Sequence, residues 1–88
     1  MIVCSAVKFQ YNDYPVIICG KRHGDCFKSV SEFVPIDKWK EIIKDQEVIQ
    51  GFLTDGNKFL DRRQAATYAY QYGQIKTWQD TLLSEDLW

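Results

Sequence analysis

The sequence has no apolar run long enough to cross a membrane, few cysteines and no excess of either charge, and each of these excludes a class of protein. No stretch approaches the roughly 18 residues of a membrane span, and no charged-then-apolar leader opens the chain. Three cysteines are too few, and odd in number, for a disulfide framework, which indicates a reducing compartment. A net charge of −1 excludes a protein that coats duplex DNA through positive charge. We therefore expect a soluble, cytoplasmic protein with no membrane partner.

The 88 residues are enough for one small domain, residues 1–88, whose core depends on large aromatic side chains. Alternating and β-branched runs predict strands, and apolar residues three and four positions apart predict helices. In chain order the prediction is strand 2–9, strand 16–19, helix 26–34, helix 36–44, strand 48–54, strand 58–60 and helix 61–72, followed by Gly73. This order predicts an α+β fold, a small antiparallel sheet of two hairpins packed by two to three helices.

Several local features refine this prediction. The apolar run at residues 16–19 favours a central strand, and Asp25 and Asp37 are plausible N-caps for the first two helices. Asp61, with Gln64 three residues later, has the spacing of a capping box. Residues 74–88 are too apolar to lie free in solvent, so we expect a C-terminal tail that packs on the domain or exchanges with another subunit.

The positions of the arginines are the main functional signal. The chain has only three, Arg22, Arg62 and Arg63, and all are predicted at the starts of helices. A cation there opposes the helix dipole and costs about 0.3–1 kcal/mol when exposed. Guanidinium groups, free N–H groups and the dipole together favour a phosphate. The arrangement predicts an anion site, and the alternative is a solvated charged face.

Neighbouring residues extend the anion site toward a nucleotide. His23 lies beside Arg22, and Gly24 allows a ligand to approach the backbone closely. The predicted roles are phosphate binding for Arg22, Arg62 and Arg63, a hydrogen bond to a phosphate or ribose for His23, and close backbone approach for Gly24. Asp25 or Asp61 would bind ribose hydroxyls, and Phe27 or Phe52 would stack on a base. The alternative for the aromatic rings is simple core packing.

Two chemical alternatives use the cysteines. Cys19, His23 and Cys26, with Cys4 from the neighbouring strand, would make a Cys3His zinc site, but no C-x2-C knuckle is present and we expect no metal. Cys26 near His23 would make a nucleophile–base pair, hence a nucleotide hydrolase. A buried structural cysteine is the interpretation we favour, so we expect no catalytic residue and no cofactor.

The sequence resembles a group of small phage-encoded proteins. The matching segments are residues 17–26, 50–54, 59–62, 65–66, 73–75 and 84–88, whereas residues 29–46 depart from the pattern. The Arg-His-x-x-Cys and Asp-Arg motifs of that group fall on Arg22, His23, Cys26, Asp61 and Arg62. The resemblance implies an accessory protein that blunts bacterial defence inside the infected cell.

Together these features predict a binding protein that sequesters a phosphorylated nucleotide immune signal, of the cyclic or ADP-ribose type, without cleaving it. A domain this small cannot enclose such a ligand alone, so we expect a homo-oligomer. The main alternative is an inhibitor that blocks a host defence protein through the aromatic and acidic surface of residues 78–88.

Overall fold

The computed structural model describes all 88 residues and contains one four-stranded antiparallel sheet with three helices, which confirms the predicted α+β fold. The elements are β1 (Ile2–Tyr11), β2 (Tyr14–Gly20), α1 (His23–Phe33), α2 (Ile36–Asp45), β3 (Ile49–Thr54), β4 (Phe59–Asp61), α3 (Arg62–Gln71) and a 3₁₀ turn at Ser84–Asp86. No helix is both long and apolar enough to traverse a bilayer.

The strand order is β2-β1-β3-β4, with β1 in the middle of the sheet. The prediction that β2 is central was therefore wrong. The helices cover only the face that carries Val7, Phe9 and Phe52. Ile17 and Ile49 pair with Lys8 on the other face and are 39% and 40% exposed. The apolar run at residues 16–19 therefore does not mark a central strand. Every second residue of the run lies on the uncovered face of the sheet, and that face leaves Ile17 exposed.

Two apolar clusters form the core on the covered face. The first joins α1 and α2 to the sheet and contains Val7, Phe9, Cys26, Val30, Val34 and Ile42. The second lies under α3 and contains Ile2, Phe52, Leu60, Ala65, Ala66, Ala69 and Leu82. The small alanines let α3 approach β3 and β4 closely, and the C-terminal tail contributes Leu82 to this second cluster.

A register shift in β1 changes which residues face the core. The shift lies between Ile2 and Cys4, so Ile2 is buried whereas Val3 is 52% exposed. Val3 has the same parity in β1 as the buried Val7, so simple alternation places Val3 inward, and the bulge between Ile2 and Cys4 reverses this. Helical spacing likewise places Phe33 and Ile43 with the apolar residues of α1 and α2, but both are exposed.

The helix starts agree with the sequence prediction at α3 but not at α1 or α2. The Asp61 side chain accepts hydrogen bonds from Arg63 N and Gln64 N, which confirms the predicted cap. Helix α1 starts three residues before the predicted position, so Arg22 and not Asp25 is its N-cap residue. Pro35, not Asp37, precedes α2. Asp25 lies in the first turn of α1, where its carboxylate accepts from Arg22 N at 3.2 Å.

The C-terminal tail, residues 74–88, packs across the start of α3 and the start of β1. Gln74 exchanges two hydrogen bonds with the backbone of Ile2, and Leu82 N donates to Arg62 O at 3.0 Å. Leu82 is fully buried, and Leu87 and Trp88 contact the same cluster. The tail therefore brings residues 83–85 next to the first turns of α1 and α3.

Candidate functional site

A cleft of about 230 Å³ lies where the first turns of α1 and α3 meet the C-terminal tail, and we call it the arginine cleft. Its lining residues come from all three segments: Arg22, His23, Gly24, Arg62, Leu83, Ser84 and Glu85. Two arginines that are 40 positions apart in the sequence thus line one cavity. The sheet makes this possible because β2 ends at α1 and β4 ends at α3 on the covered face.

Arg22 occupies the N-cap position of α1 and reaches the C-terminal tail. Its Nε donates to the main-chain oxygen of Trp88 at 3.1 Å, and Nη2 donates to the same atom. The Nη1 group has no acceptor in the protein, and the side chain is exposed. The guanidinium is therefore held at the cleft while part of its donor set remains free.

Arg62 is the first residue of α3 and is only partly accessible. Its Nη2 donates to Gln50 Oε1 at 2.8 Å, whereas its Nε is buried with no acceptor. The only ion pairs in the protein join Met1 to Asp55 and Lys38 to Glu41. A half-buried guanidinium without a carboxylate partner is uncommon, because burial of a charge is costly unless it is compensated.

His23 forms the inner wall of the arginine cleft, and both of its ring nitrogens are engaged. Nε2 lies 2.7 Å from Gly51 O, and Nδ1 lies 2.6 Å from Ser84 Oγ. Because a carbonyl only accepts, Nε2 carries a hydrogen, and neutral Nδ1 accepts from the Ser84 hydroxyl. The ring also meets Phe52 edge-on at 5.1 Å. His23 therefore fixes the tail to β3 rather than presenting a free nitrogen to the cleft.

Burial lowers the pKa of His23 below 6.5, and the nearby positive charge of Arg62 acts in the same direction, against a hydrogen bond to Gly51 that raises it. At neutral pH the imidazole is therefore uncharged. Arg62 and His23 line the same cleft, so the charge of Arg62 acts on the imidazole there.

Ser84 connects His23 to a second buried hydroxyl. Its Oγ accepts from His23 N at 3.1 Å and lies 2.8 Å from Ser5 Oγ, which in turn donates to Lys21 O at 3.0 Å. The network from Gly51 O to Lys21 O contains five contacts. When His23 is neutral, only four hydrogens are available for them: those of His23 N, His23 Nε2 and the two serine hydroxyls. Ser84 is thus the point at which the tail is attached to both α1 and β1.

Gly24 and Glu85 complete the open side of the cleft. A Cβ added at Gly24 would meet no heavy atom within 4 Å, so a ligand has room beside the backbone at the start of α1. Glu85 follows Ser84 in the 3₁₀ turn and is exposed. The cleft therefore combines two cations, one carboxylate and an accessible helix N-terminus.

A second cleft, of about 410 Å³, lies on another side of Arg62, and we call it the Arg63 cleft. It is lined by residues 47–50 and by Asp61, Arg62 and Arg63. Arg63 is exposed and its side chain has no hydrogen-bond or ion-pair partner within the protein. Arg62 is the residue that the two clefts share.

The largest cavity, of about 470 Å³, lies elsewhere, between the β1–β2 turn and α2. Three carboxylates line it, from Asp13, Glu41 and Asp45, with Lys38 as the one cation. Its charge is of the wrong sign for a phosphate, so we assign the candidate site to the clefts around Arg62.

None of the remaining predicted ligand residues lines the arginine cleft. Phe52 is fully buried, and Phe27 packs in the α1–α2 core with its ring 6.2 Å from Trp39. Asp25 and Asp61 accept backbone hydrogen bonds at the starts of their helices, so each carboxylate already has a structural function. Asp61 also lines the Arg63 cleft.

The cysteines are close enough to influence one another but do not form a metal centre with His23. Burial, together with the neighbouring groups of Cys19, Cys4 and Asp25, raises the pKa of Cys26 to about 11. Burial and Cys19 likewise raise the pKa of Cys4 to about 11. No group of three potential ligands has the arrangement that a metal ion needs. Cys26 is fully buried, a poor setting for a nucleophile.

Sequence reasoning missed Ser84, Ser5 and Gly51 as parts of the site. Ser84 lies 61 positions from His23, so no local spacing connects the two. The only signal was the Ser-Glu-Asp-Leu-Trp ending, residues 84–88, among the segments that resemble small phage proteins.

The comparison with known families covers the whole chain. Residues 1–88 match the family described as "Phage T4 y16D protein". The chain belongs to this family. No curated protein and no solved structure matches it. The match shows that this y16D family member is a phage protein, and the site itself has to supply the argument about its ligand.

Proposed function

We propose that this y16D family member binds a phosphorylated nucleotide in the arginine cleft and holds it without cleaving it. The observation that carries the proposal is Arg62, a half-buried guanidinium with no carboxylate partner and a buried, unsatisfied Nε, in the same cleft as Arg22. A phosphoryl group supplies the missing negative charge and several acceptor oxygens. Each charge-assisted hydrogen bond contributes about 1.5–3 kcal/mol.

The first turn of α1 strengthens the case for an anion. His23 N is occupied by Ser84, but the open space at Gly24 leaves the start of the 11-residue helix accessible to a ligand. The positive end of the helix dipole then acts on the same ligand as Arg22 and Arg62. Glu85 would accept hydrogen bonds from ribose hydroxyls, which a bare phosphate lacks.

Retention without cleavage is supported by the state of the two candidate reactive groups. Both ring nitrogens of His23 are engaged by Gly51 and Ser84, so neither is free to act as a base on a ligand. Cys26 is buried, with its pKa raised to about 11. A His23- and Cys26-dependent hydrolase is the minor alternative, and it would require both groups to be released from their present contacts.

In an infected bacterial cell, the role we propose is capture of a nucleotide immune signal in the cytoplasm. The phage family supplies the setting, and the arginine cleft supplies the chemistry. The alternative is direct inhibition of a host defence protein. One observation favours it: Trp78, on the tail, is 53% exposed, and Leu83 beside the cleft is partly exposed.

The size of the arginine cleft leads to a proposal about assembly. Its volume of about 230 Å³ is below the roughly 300–1,000 Å³ of typical small-molecule sites. One chain would hold a phosphate and part of a ribose, and a homo-oligomer would enclose the rest. Light scattering coupled to size-exclusion chromatography, with and without nucleotide, tests this directly.

The decisive experiment incubates the protein with a panel of nucleotides, removes the protein by filtration, and measures what remains in solution. Heat denaturation of the retained protein then shows whether bound ligand is released intact. Intact release supports sequestration, an altered nucleotide overturns it in favour of catalysis, and no depletion overturns it in favour of a protein target. R22Q and R62Q should deplete the ligand poorly, whereas K40Q, at an exposed lysine outside all three cavities, should behave as the parent protein.

A further inference from the structure

Arg62 stands between two clefts, and each cleft has a second arginine of its own. Arg22 and Arg62 line the arginine cleft, whereas Arg62 and Arg63 line the Arg63 cleft. All three arginines of the chain therefore line these two cavities, which share Arg62. Arg62 and Arg63 have no carboxylate partner, since the two ion pairs of the protein are formed by other residues.

The three arginines have more free N–H donors than one phosphoryl group needs. Arg62 Nη2 is bound by Gln50, but Nε is buried without an acceptor and Nη1 has none either. Arg22 retains free donors toward one side, and the whole Arg63 guanidinium is free on the other. One phosphate between Arg22 and Arg62 would leave Arg63 uncompensated in a cavity of about 410 Å³.

Both cavities place at least one carboxylate beside two arginines. The arginine cleft adds Glu85 to its two arginines, and the Arg63 cleft adds Glu47 and Asp61. A carboxylate beside a pair of guanidinium groups accepts hydrogen bonds from hydroxyls while the cations bind phosphoryl oxygens. Each cleft is therefore suited to a phosphoryl group attached to a sugar.

We propose that the ligand carries two phosphoryl groups, one held between Arg22 and Arg62 and the other between Arg62 and Arg63. This inference rests on the proposed nucleotide-binding function and narrows its ligand class to nucleotides with two phosphoryl groups. Arg62 contributes to both positions, and Arg63 contributes only to the second.

The test compares three probes by isothermal titration calorimetry: AMP, with one phosphoryl group; ADP-ribose, with two adjacent ones; and cyclic di-AMP, with two separated by nucleosides. Their net charges are similar at pH 7, so the comparison isolates the number and spacing of phosphoryl groups. We expect at least one two-phosphoryl probe to bind about tenfold or more tightly than AMP, and the better of the two identifies the spacing. R63Q should remove that advantage by lowering the affinity for the better two-phosphoryl probe by a much larger factor than the affinity for AMP, while K40Q controls for the loss of one positive charge.

The outcomes separate this inference from the function on which it rests. If AMP and both larger probes bind equally, or if R63Q weakens all of them by the same factor, the two-phosphoryl inference is wrong although nucleotide binding stands. If none of the probes binds and R22Q changes nothing, the nucleotide-binding proposal fails as well. Circular dichroism of R63Q checks that α3, whose cap is the Asp61 side chain, stays folded.

Discussion

Removal of the Ser84 hydroxyl is expected to destabilise the protein far more than its small size suggests. In S84A, His23 N loses an acceptor at 3.1 Å and neutral His23 Nδ1 loses a donor at 2.6 Å, and both groups are buried. A buried polar group left unsatisfied costs about 1–3 kcal/mol. Ser5 keeps its bond to Lys21 O, so it adds little. Two groups at the lower part of that range give a loss of about 3 kcal/mol.

Urea denaturation, monitored by tryptophan fluorescence, measures this loss. Trp88 is a suitable probe because it belongs to the tail and packs against the core cluster under α3. The matched control is S31A, since Ser31 is exposed and its hydroxyl donates only to Lys28 O within the same helix. We expect S31A to change the free energy of unfolding by less than about 0.5 kcal/mol. A loss below about 1 kcal/mol in S84A would refute the claim that this hydroxyl attaches the tail to α1.

Three further predictions test the surroundings of the site. G51A should cost about 3 kcal/mol or prevent folding, because an added Cβ would lie 2.1 Å from Leu60 O; thermal denaturation measures the loss, and an unchanged midpoint would contradict the packing. The free energy of unfolding should fall as the pH drops below 6.5, because the unfolded chain then binds a proton at His23 and the folded chain, in which the pKa of His23 is lowered, does not. Urea titrations at several pH values should therefore show a weaker pH dependence of the free energy of unfolding for H23Q. The same pH dependence in both proteins would be evidence against a lowered pKa of His23. A thiol reagent should modify exposed Cys19 in the native protein and leave buried Cys26 unmodified, as read by mass spectrometry; rapid labelling of Cys26 would contradict its burial.

The parts of the fold that the sequence predicts well are those with local signals. The Asp55-Gly56-Asn57 turn lies between the strands predicted at residues 48–54 and 58–60, and Asn57 has the positive φ of 61° that such a turn requires. Asp61 caps α3, and Gly73 follows it with a φ of 73°. These features depend on residues only a few positions apart, so a local sequence pattern is enough to predict them.

Long-range features could not be predicted in the same way. The edge position of β2 follows from which strand pairs with β3, a choice among non-local partners that the apolar run of β2 does not encode. At the start of α1, His23 N donates to the Ser84 hydroxyl of the tail, a contact between residues 61 positions apart that no local pattern encodes. Sequence reasoning selected Arg22 and Arg62 from their helix-start positions, but the wall that the tail adds to their cleft is a product of tertiary packing.

Nuclear magnetic resonance of the arginine side chains tests the central claim most directly. The chain has three arginines, so a ¹⁵N-labelled sample gives at most three Nε–H signals, and R22Q, R62Q and R63Q assign them. When a nucleotide that binds the protein is titrated in, we predict that the Nε–H signal of Arg62 shifts most, because this Nε is buried and has no acceptor in the free protein. A nucleotide that binds while the Arg62 and Arg22 signals stay in place would contradict the assignment of phosphate binding to the arginine cleft.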